Sequence, residues 1–236
     1  VDWRRLRGEV GLALVAGAVL GAGAFALRAG ADFPAQSISR TQEAPVDAAA
    51  VERRAHGGVL RADVEACGAQ RVGTVTVLAG DGGPVGLTNE HVVDDARSVA
   101  LSGPGGNGSG AVDGAVDHRD AALVELSGST DAAALPPGVR PRVGDEVLVA
   151  GFPGGRYEAE WGTVRRFEER VGRGGLTTVM LVDVQANPGL SGGAVLDRAG
   201  TMTGLVAARD PGTGWTVAYP VGEVLGRPTE PLSVDC

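Results

Sequence analysis

Short apolar runs separated by turn residues recur from Val59 to the end of the chain. VGTVTVLAG, SVALSG, AALVELSG, DEVLVAGFPGG, TTVMLVDV, MTGLVAAR and GWTVAYPV are each of strand length, each contain Val, and alternate with turn signals. Such spacing predicts an all-β barrel or sandwich with no helix between the strands. The segment STDAAALPPGVRPRVG breaks the series and predicts a boundary between two β units near 136–144.

Upstream of Val59 the pattern changes twice. Arg4, Arg5 and Arg7 precede an uncharged stretch of Ala, Gly, Val, Leu and Phe that begins at Val10 and ends at Leu27. That length nearly crosses a bilayer as a helix, and arginines on its N-terminal side mark the cytoplasmic face. Ala29-Gly30-Ala31 also fits a signal-peptide cleavage pattern. Residues 1–31 are therefore expected to be a basic stub with a transmembrane anchor, or alternatively a cleaved signal peptide. Either one exports the remainder of the chain. Residues 32–58 are polar and mixed, which predicts a linker with a short helix over 46–55 and an exposed His56.

Composition narrows the function. With 236 residues, 43% of them hydrophobic, the chain has enough apolar material for one sizeable core or two small ones. Its formal charge of -8, and the lack of a Lys/Arg cluster beyond the N-terminus, argue against nucleic acid as a partner. Cys67 and Cys236 are the only cysteines and have no histidine pattern near them, so zinc is not suggested. In an exported chain they are expected to form a disulfide closing a very long loop, a constraint of up to about 5 kcal/mol, the alternative being two unpaired thiols.

Three histidines are present. His91 follows an apolar run in GLTNEHVV, at the end of a strand. His118 lies in DGAVDHRDAALVEL, where Asp120 directly precedes a buried-looking strand and Asp117 stands three residues earlier. Ser191 lies between glycines in NPGLSGGAV. Serine-based acyl transfer requires a hydroxyl, an imidazole to deprotonate it, and a carboxylate to fix the imidazole's tautomer. His91, Asp120 and Ser191 are candidates for those parts. A glycine two residues before the serine, Gly189, permits the tight turn that aims backbone N–H groups at a developing oxyanion.

TNEHVV, RDAALVEL and DVQANPGLSGGAV, in that order, resemble the trypsin-like serine proteases, specifically their bacterial HtrA branch. VGDEVLVAGFPGG resembles the segment that opens the second barrel there, and GLVAAR with GWTVAYPV resembles the strands that close it. The separations of 29 residues from His91 to Asp120 and 71 from Asp120 to Ser191 suit one contribution per barrel. The likeness covers 59–221. It implies two six-stranded antiparallel β-barrels, 59–137 and 138–236, with the active site between them. It also implies that His91 is general base and acid, that Asp120 orients it, that Ser191 is the nucleophile, and that the N–H groups of Gly189 and Ser191 form the oxyanion hole. Asp117 is the rival carboxylate, and His118 is expected at the surface. The resemblance brings no cofactor.

Departures qualify the likeness. Leu190 stands where digestive relatives carry an aspartate that pairs with a new N-terminus, so activation by that route is not expected. Gln185, six residues before Ser191, is placed at the specificity pocket with Asp183 nearby, and suggests small or medium uncharged substrate side chains. HtrA enzymes usually continue into a PDZ domain, whereas this sequence stops at Cys236, like the membrane-tethered exported serine proteases of actinobacteria. The expected function is an exported, membrane-anchored serine endopeptidase acting on proteins or peptides. The alternatives are an inactive trypsin-like relative serving as a tethered binding protein, and an α/β-fold esterase, which needs the reverse residue order.

Overall fold

The computed structural model describes residues 47–80, 82–104, 106–128, 131–172, 175–232 and 234. The anchor or signal segment falls outside the described residues, as does Cys236 and with it the expected disulfide. Among the described residues no helix is long and apolar enough to cross a membrane.

The described residues form two closed, six-stranded antiparallel barrels. The first comprises β1 (Val59–Ala66), β2 (Ala69–Gly80), β3 (Gly83–Thr88), β4 (Ala96–Gly103), β5 (Gly106–Val116) and β6 (Ala122–Gly128). They run in the order β5-β4-β1-β2-β3-β6, and pairing of β5 with β6 closes the ring. The second comprises β7 (Glu146–Gly151), β8 (Glu158–Gly172), β9 (Gly175–Gln185), β10 (Ala194–Leu196), β11 (Met202–Arg209) and β12 (Trp215–Pro220), in the order β10-β11-β12-β9-β8-β7. A two-residue strand, β13 (Thr229–Glu230), returns to the outside of β5 in the first barrel.

The passage between barrels is marked by two isolated bridges. Leu135 pairs with Leu78 of the first barrel and Pro137 with Met202 of the second, so the chain passes between barrels within the Ala/Pro/Gly segment. β5 is not apparent in the apolar pattern, being mostly Gly, Ser and Ala. It is a strand because its neighbours leave no room for larger residues: a Cβ on Gly110 would lie 2.4 Å from Val124 Cγ1.

Strand alternation divides the cores. Successive side chains of a strand point to opposite faces. In β2, Val75 and Val77 enter the interior of the first barrel with Leu60, Leu101 and Val124. Thr74, Thr76 and Leu78 face the other way, and all five of these β2 residues are fully or almost fully buried. One strand is therefore both a wall of its own barrel and a floor for the second.

Part of the expected linker is a structural helix. α1 (Ala48–Gly58) starts where Asp47 Oδ1 accepts a hydrogen bond from Ala50 N at 3.0 Å, an N-cap. Val51, Ala55 and Gly58 are buried along one face. Glu52 accepts from Trp161 Nε1 at 3.0 Å, and Arg54 donates to Ala199 O at 2.9 Å. His56 is exposed as expected, but its ring centroid lies 4.3 Å from that of Tyr157. Burial, and then the Glu52 charge, push the Tyr157 phenol up to about 12. The helix expected over 46–55 runs from Ala48 to Gly58.

Candidate active site

His91 is positioned by a single helical turn, α2 (Glu90–Val93), directly after β3. Val92 and Val93 are buried beneath it, and Arg71 Nη1 donates to Asp94 O at 2.6 Å just past its C-terminal end. The Asp120 carboxylate holds His91 at two points, accepting from the backbone N at 3.0 Å and lying 2.7 Å from ring Nδ1. Asn89 Nδ2 donates to Asp120 O at 2.7 Å and locks the loop from the other side. A carboxylate facing Nδ1 favours a proton there, which leaves Nε2 free to accept one.

Asp117, the rival carboxylate, faces elsewhere. Its Oδ1 is 3.2 Å from His118 Nε2, and its backbone N donates to Pro228 O at 2.9 Å. His118 is exposed, as expected, with φ at +59°. Buried Arg119 ties this loop to Glu223 at 2.9 Å. Tyr219 on β12 lies close enough for the Asp120 charge to be felt, and burial followed by that charge raises its pKa.

Ser191 lies in two consecutive tight turns. Leu190 N donates to Asn187 O at 3.1 Å, which places Pro188 and Gly189 at the corner, with Gly189 at φ +96°. Proline followed by a residue of positive φ is the type II pattern. Gly193 N then donates to Leu190 O at 2.9 Å, with Gly192 at φ +83°. Among the described residues neither Gly189 N nor Ser191 N has an acceptor, which leaves two donors for an incoming oxyanion.

Threonines of the first barrel hold this loop. Thr74 N donates to Ser191 O at 2.8 Å, Thr74 Oγ1 to Gly189 O at 2.9 Å, and Thr76 Oγ1 to Gly192 O at 2.8 Å. Thr74 Oγ1 also accepts from Phe152 N at 2.9 Å, and Thr88 Oγ1 donates to Thr74 O at 2.7 Å. A Cβ on Gly192 would lie 1.9 Å from Thr74 O, so only glycine allows this approach. Leu190 provides the remaining anchor, 5% exposed in the apolar interior of the second barrel with Val149 and Val195.

Gln185 is exposed at the end of β9, paired with Trp215, and Ala186 N donates to Gly214 O at 3.1 Å. Asp183, two residues earlier on β9, is engaged by β8. Burial works to raise the Asp183 pKa, but it ends lowered because the carboxylate accepts from Thr163 N at 2.6 Å and pairs with Arg165. Thr74, Thr76, Thr88 and Asn89 are the contributors that sequence reasoning missed. The Thr/Val alternation of GTVTV was the available signal, since β-branched polar residues on a strand's second face imply a polar surface to meet.

Among the described residues no group of three or more His, Cys, Asp or Glu side chains is placed to hold a metal ion. Two barrels, a histidine–aspartate pair from one and a serine in a glycine turn from the other, define the class of trypsin-like peptidases. The chain belongs to that family: residues 73–205 match the trypsin-like peptidase domain. Solved structures agree in fold. The active form of the Rv3671c protease from M. tuberculosis is 20% identical over 79% of this chain and 88% of its own, with a TM-score of 0.68. The HtrA-type protease AlgW with a tripeptide is 24% identical over 75% of this chain and 60% of its own, TM-score 0.67. A serine endoprotease from Yersinia pestis is 24% identical over 76% and 64%, TM-score 0.63. No curated protein matched.

Proposed function

We propose that this chain is a serine endopeptidase that works through an acyl-enzyme. His91 Nε2 takes the proton of Ser191 Oγ as the oxygen bonds to the peptide carbonyl carbon. Asp120 holds the imidazole and balances the imidazolium. The carbonyl oxygen, now an anion, accepts hydrogen bonds from Gly189 N and Ser191 N. The imidazolium gives its proton to the leaving amine as the C–N bond breaks, and water repeats the cycle to release the acid. The observation carrying this reading is the pair of N–H groups without acceptors beside Ser191, on a loop held by Thr74.

The substrate class is suggested by the edge of β11. Val206 exchanges both backbone bonds with the nucleophile loop, through Gly192 N at 2.9 Å and Gly193 O at 2.8 Å. A register shift past Val206 then leaves Ala207 out of the pairing with β12. An extended polypeptide can be added along this edge as a strand. AlgW, solved with a tripeptide, supports such an occupant.

Export and tethering belong to the same proposal. They rest on Arg4, Arg5 and Arg7 ahead of the uncharged stretch 10–27, and a Cys67–Cys236 disulfide rests on the oxidising compartment that export implies. Resistance of the full chain to alkaline extraction from membranes is the expected result; release as a soluble protein favours the cleaved-leader alternative.

A second reading, an inactive tethered relative, is favoured by one observation. Among the described residues no hydrogen bond joins Ser191 to the His91 ring, whose bond runs to Asp120. Such bonds often tighten only when substrate is present. Fluorophosphonate labelling of the full chain separates the two readings: labelling abolished by Ser191→Ala supports the enzyme, and no labelling supports the inactive relative.

A further inference from the structure

We infer that Arg209 makes this peptidase selective for an acidic side chain on the substrate residue whose carbonyl is attacked. The inference rests on the endopeptidase reading above and goes beyond it in naming a substrate class.

Arg209 is the last residue of β11, the strand that leaves the nucleophile loop at Val206. Ala207 stands outside the pairing with β12, and Ala208 and Arg209 then pair with Val217 and Thr216. The strand edge available to a peptide therefore leads from Ser191 directly to Arg209.

The Arg209 side chain turns towards Gln185, the residue that closes the approach to the nucleophile loop at the end of β9. Gly214 is where the two meet. A Cβ there would lie 2.5 Å from Gln185 Oε1, 3.0 Å from one Arg209 terminal nitrogen and 3.3 Å from Arg209 Nε. With φ at +77°, the position favours glycine on backbone grounds as well. A guanidinium and a carboxamide thus border one small space that has no side chain in it.

The nearby charges are already committed, except this one. Asp210 accepts from Gly212 N, Thr213 N and Thr213 Oγ1 through one oxygen and pairs with Arg170 at 2.6 Å through the other. Arg166 and Arg170 both pair with Glu168. Among the described residues the Arg209 side chain has no ion pair and no hydrogen bond, its backbone alone pairing with Thr216. A substrate carboxylate entering beside Gln185 meets the planar guanidinium of Arg209, whose forked N–H groups match its two oxygens, while Gln185 Oε1, an acceptor, borders the other side of the space. The sequence expectation of an uncharged side chain rested on Gln185, with Asp183 nearby, and did not include Arg209.

The test compares peptides differing only in Glu or Gln on the acyl side of the scissile bond, so that size is constant and charge is not. In the full chain, first shown to label at Ser191 with a fluorophosphonate, kcat/KM is expected to favour Glu by about tenfold or more, the scale of one charge-assisted contact. Arg209→Gln should bring the ratio to about one while leaving labelling intact, and Arg209→Glu should shift preference to Lys. A labelled wild-type enzyme with no preference for Glu, or a preference that survives Arg209→Gln, overturns the inference and leaves the endopeptidase reading standing. Absence of labelling removes both.

Discussion

The two halves of the candidate site are held in different ways. On the first barrel, His91 is 46% exposed and depends on one carboxylate and one helical turn for its placement. On the second, the Ser191 loop is enclosed by buried threonines, a buried leucine and glycines with no room for a side chain. A base that must exchange protons with a moving substrate needs only its orientation fixed. The turn that presents an oxyanion hole must keep peptide planes in one setting, and it has bonds on every side. The contrast shows which half tolerates loosening.

Substitutions can break that contrast in graded steps. Ser191→Ala should lower kcat on the order of 10^6-fold with stability unchanged, measured by peptide hydrolysis and thermal melting. Asp120→Asn should cost about 10^4-fold by leaving His91 in the wrong tautomer, while Asp117→Asn stays within about twofold. Equal losses for the two aspartates would reassign the carboxylate.

Thr74→Val removes the hydroxyl that ties Gly189 O to Phe152 N without changing the side chain's shape. It should lower kcat about 10- to 100-fold with little change in KM, and Thr74→Ser should restore most of it. A rise in KM alone would mean the bond serves binding and not the loop. Leu190→Ala should cost about 2 to 5 kcal/mol of stability by opening a cavity in the second barrel, read from denaturant unfolding. Loss of activity without loss of stability would place Leu190 in the loop's setting only.

The smallest effect is expected away from the loop, at Asp210. The Arg170 guanidinium, then Thr213, hold its carboxyl well below the usual carboxylate range. A depressed folded-state pKa stabilises the protein above the unfolded value of about 3.9, and that gain is lost as pH falls through the lower folded value. Asp210→Asn should therefore lower Tm at neutral pH, and the gap to wild type should close in strong acid. A gap independent of pH would show that charge plays no part.

Much of this was legible in the sequence, for identifiable reasons. Barrel strands with alternating Val and Leu announced themselves, and NPGLSGGAV carried its turn chemistry in Pro188, Gly189 and Gly192. The hidden parts depend on partners distant in sequence. β5 is a strand because of Val124 and Val99, not because of its own glycines. α1 gains its place from Trp161, Tyr157 and Ala199. Thr74 reads as an ordinary strand residue until Gly189, 115 positions later, is brought beside it. Local pattern reports what a segment can be; which bonds complete it is settled by the other barrel.

The sharing of β2 between barrels has a consequence for any part of the chain separated from the rest. A truncated product that includes only residues after the crossing would carry Ser191, but without the three bonds that Thr74 and Thr76 donate to Ser191, Gly189 and Gly192. If Ser191 is the proposed nucleophile, its setting is completed only by docking of the other barrel, and a half molecule is expected to be inert.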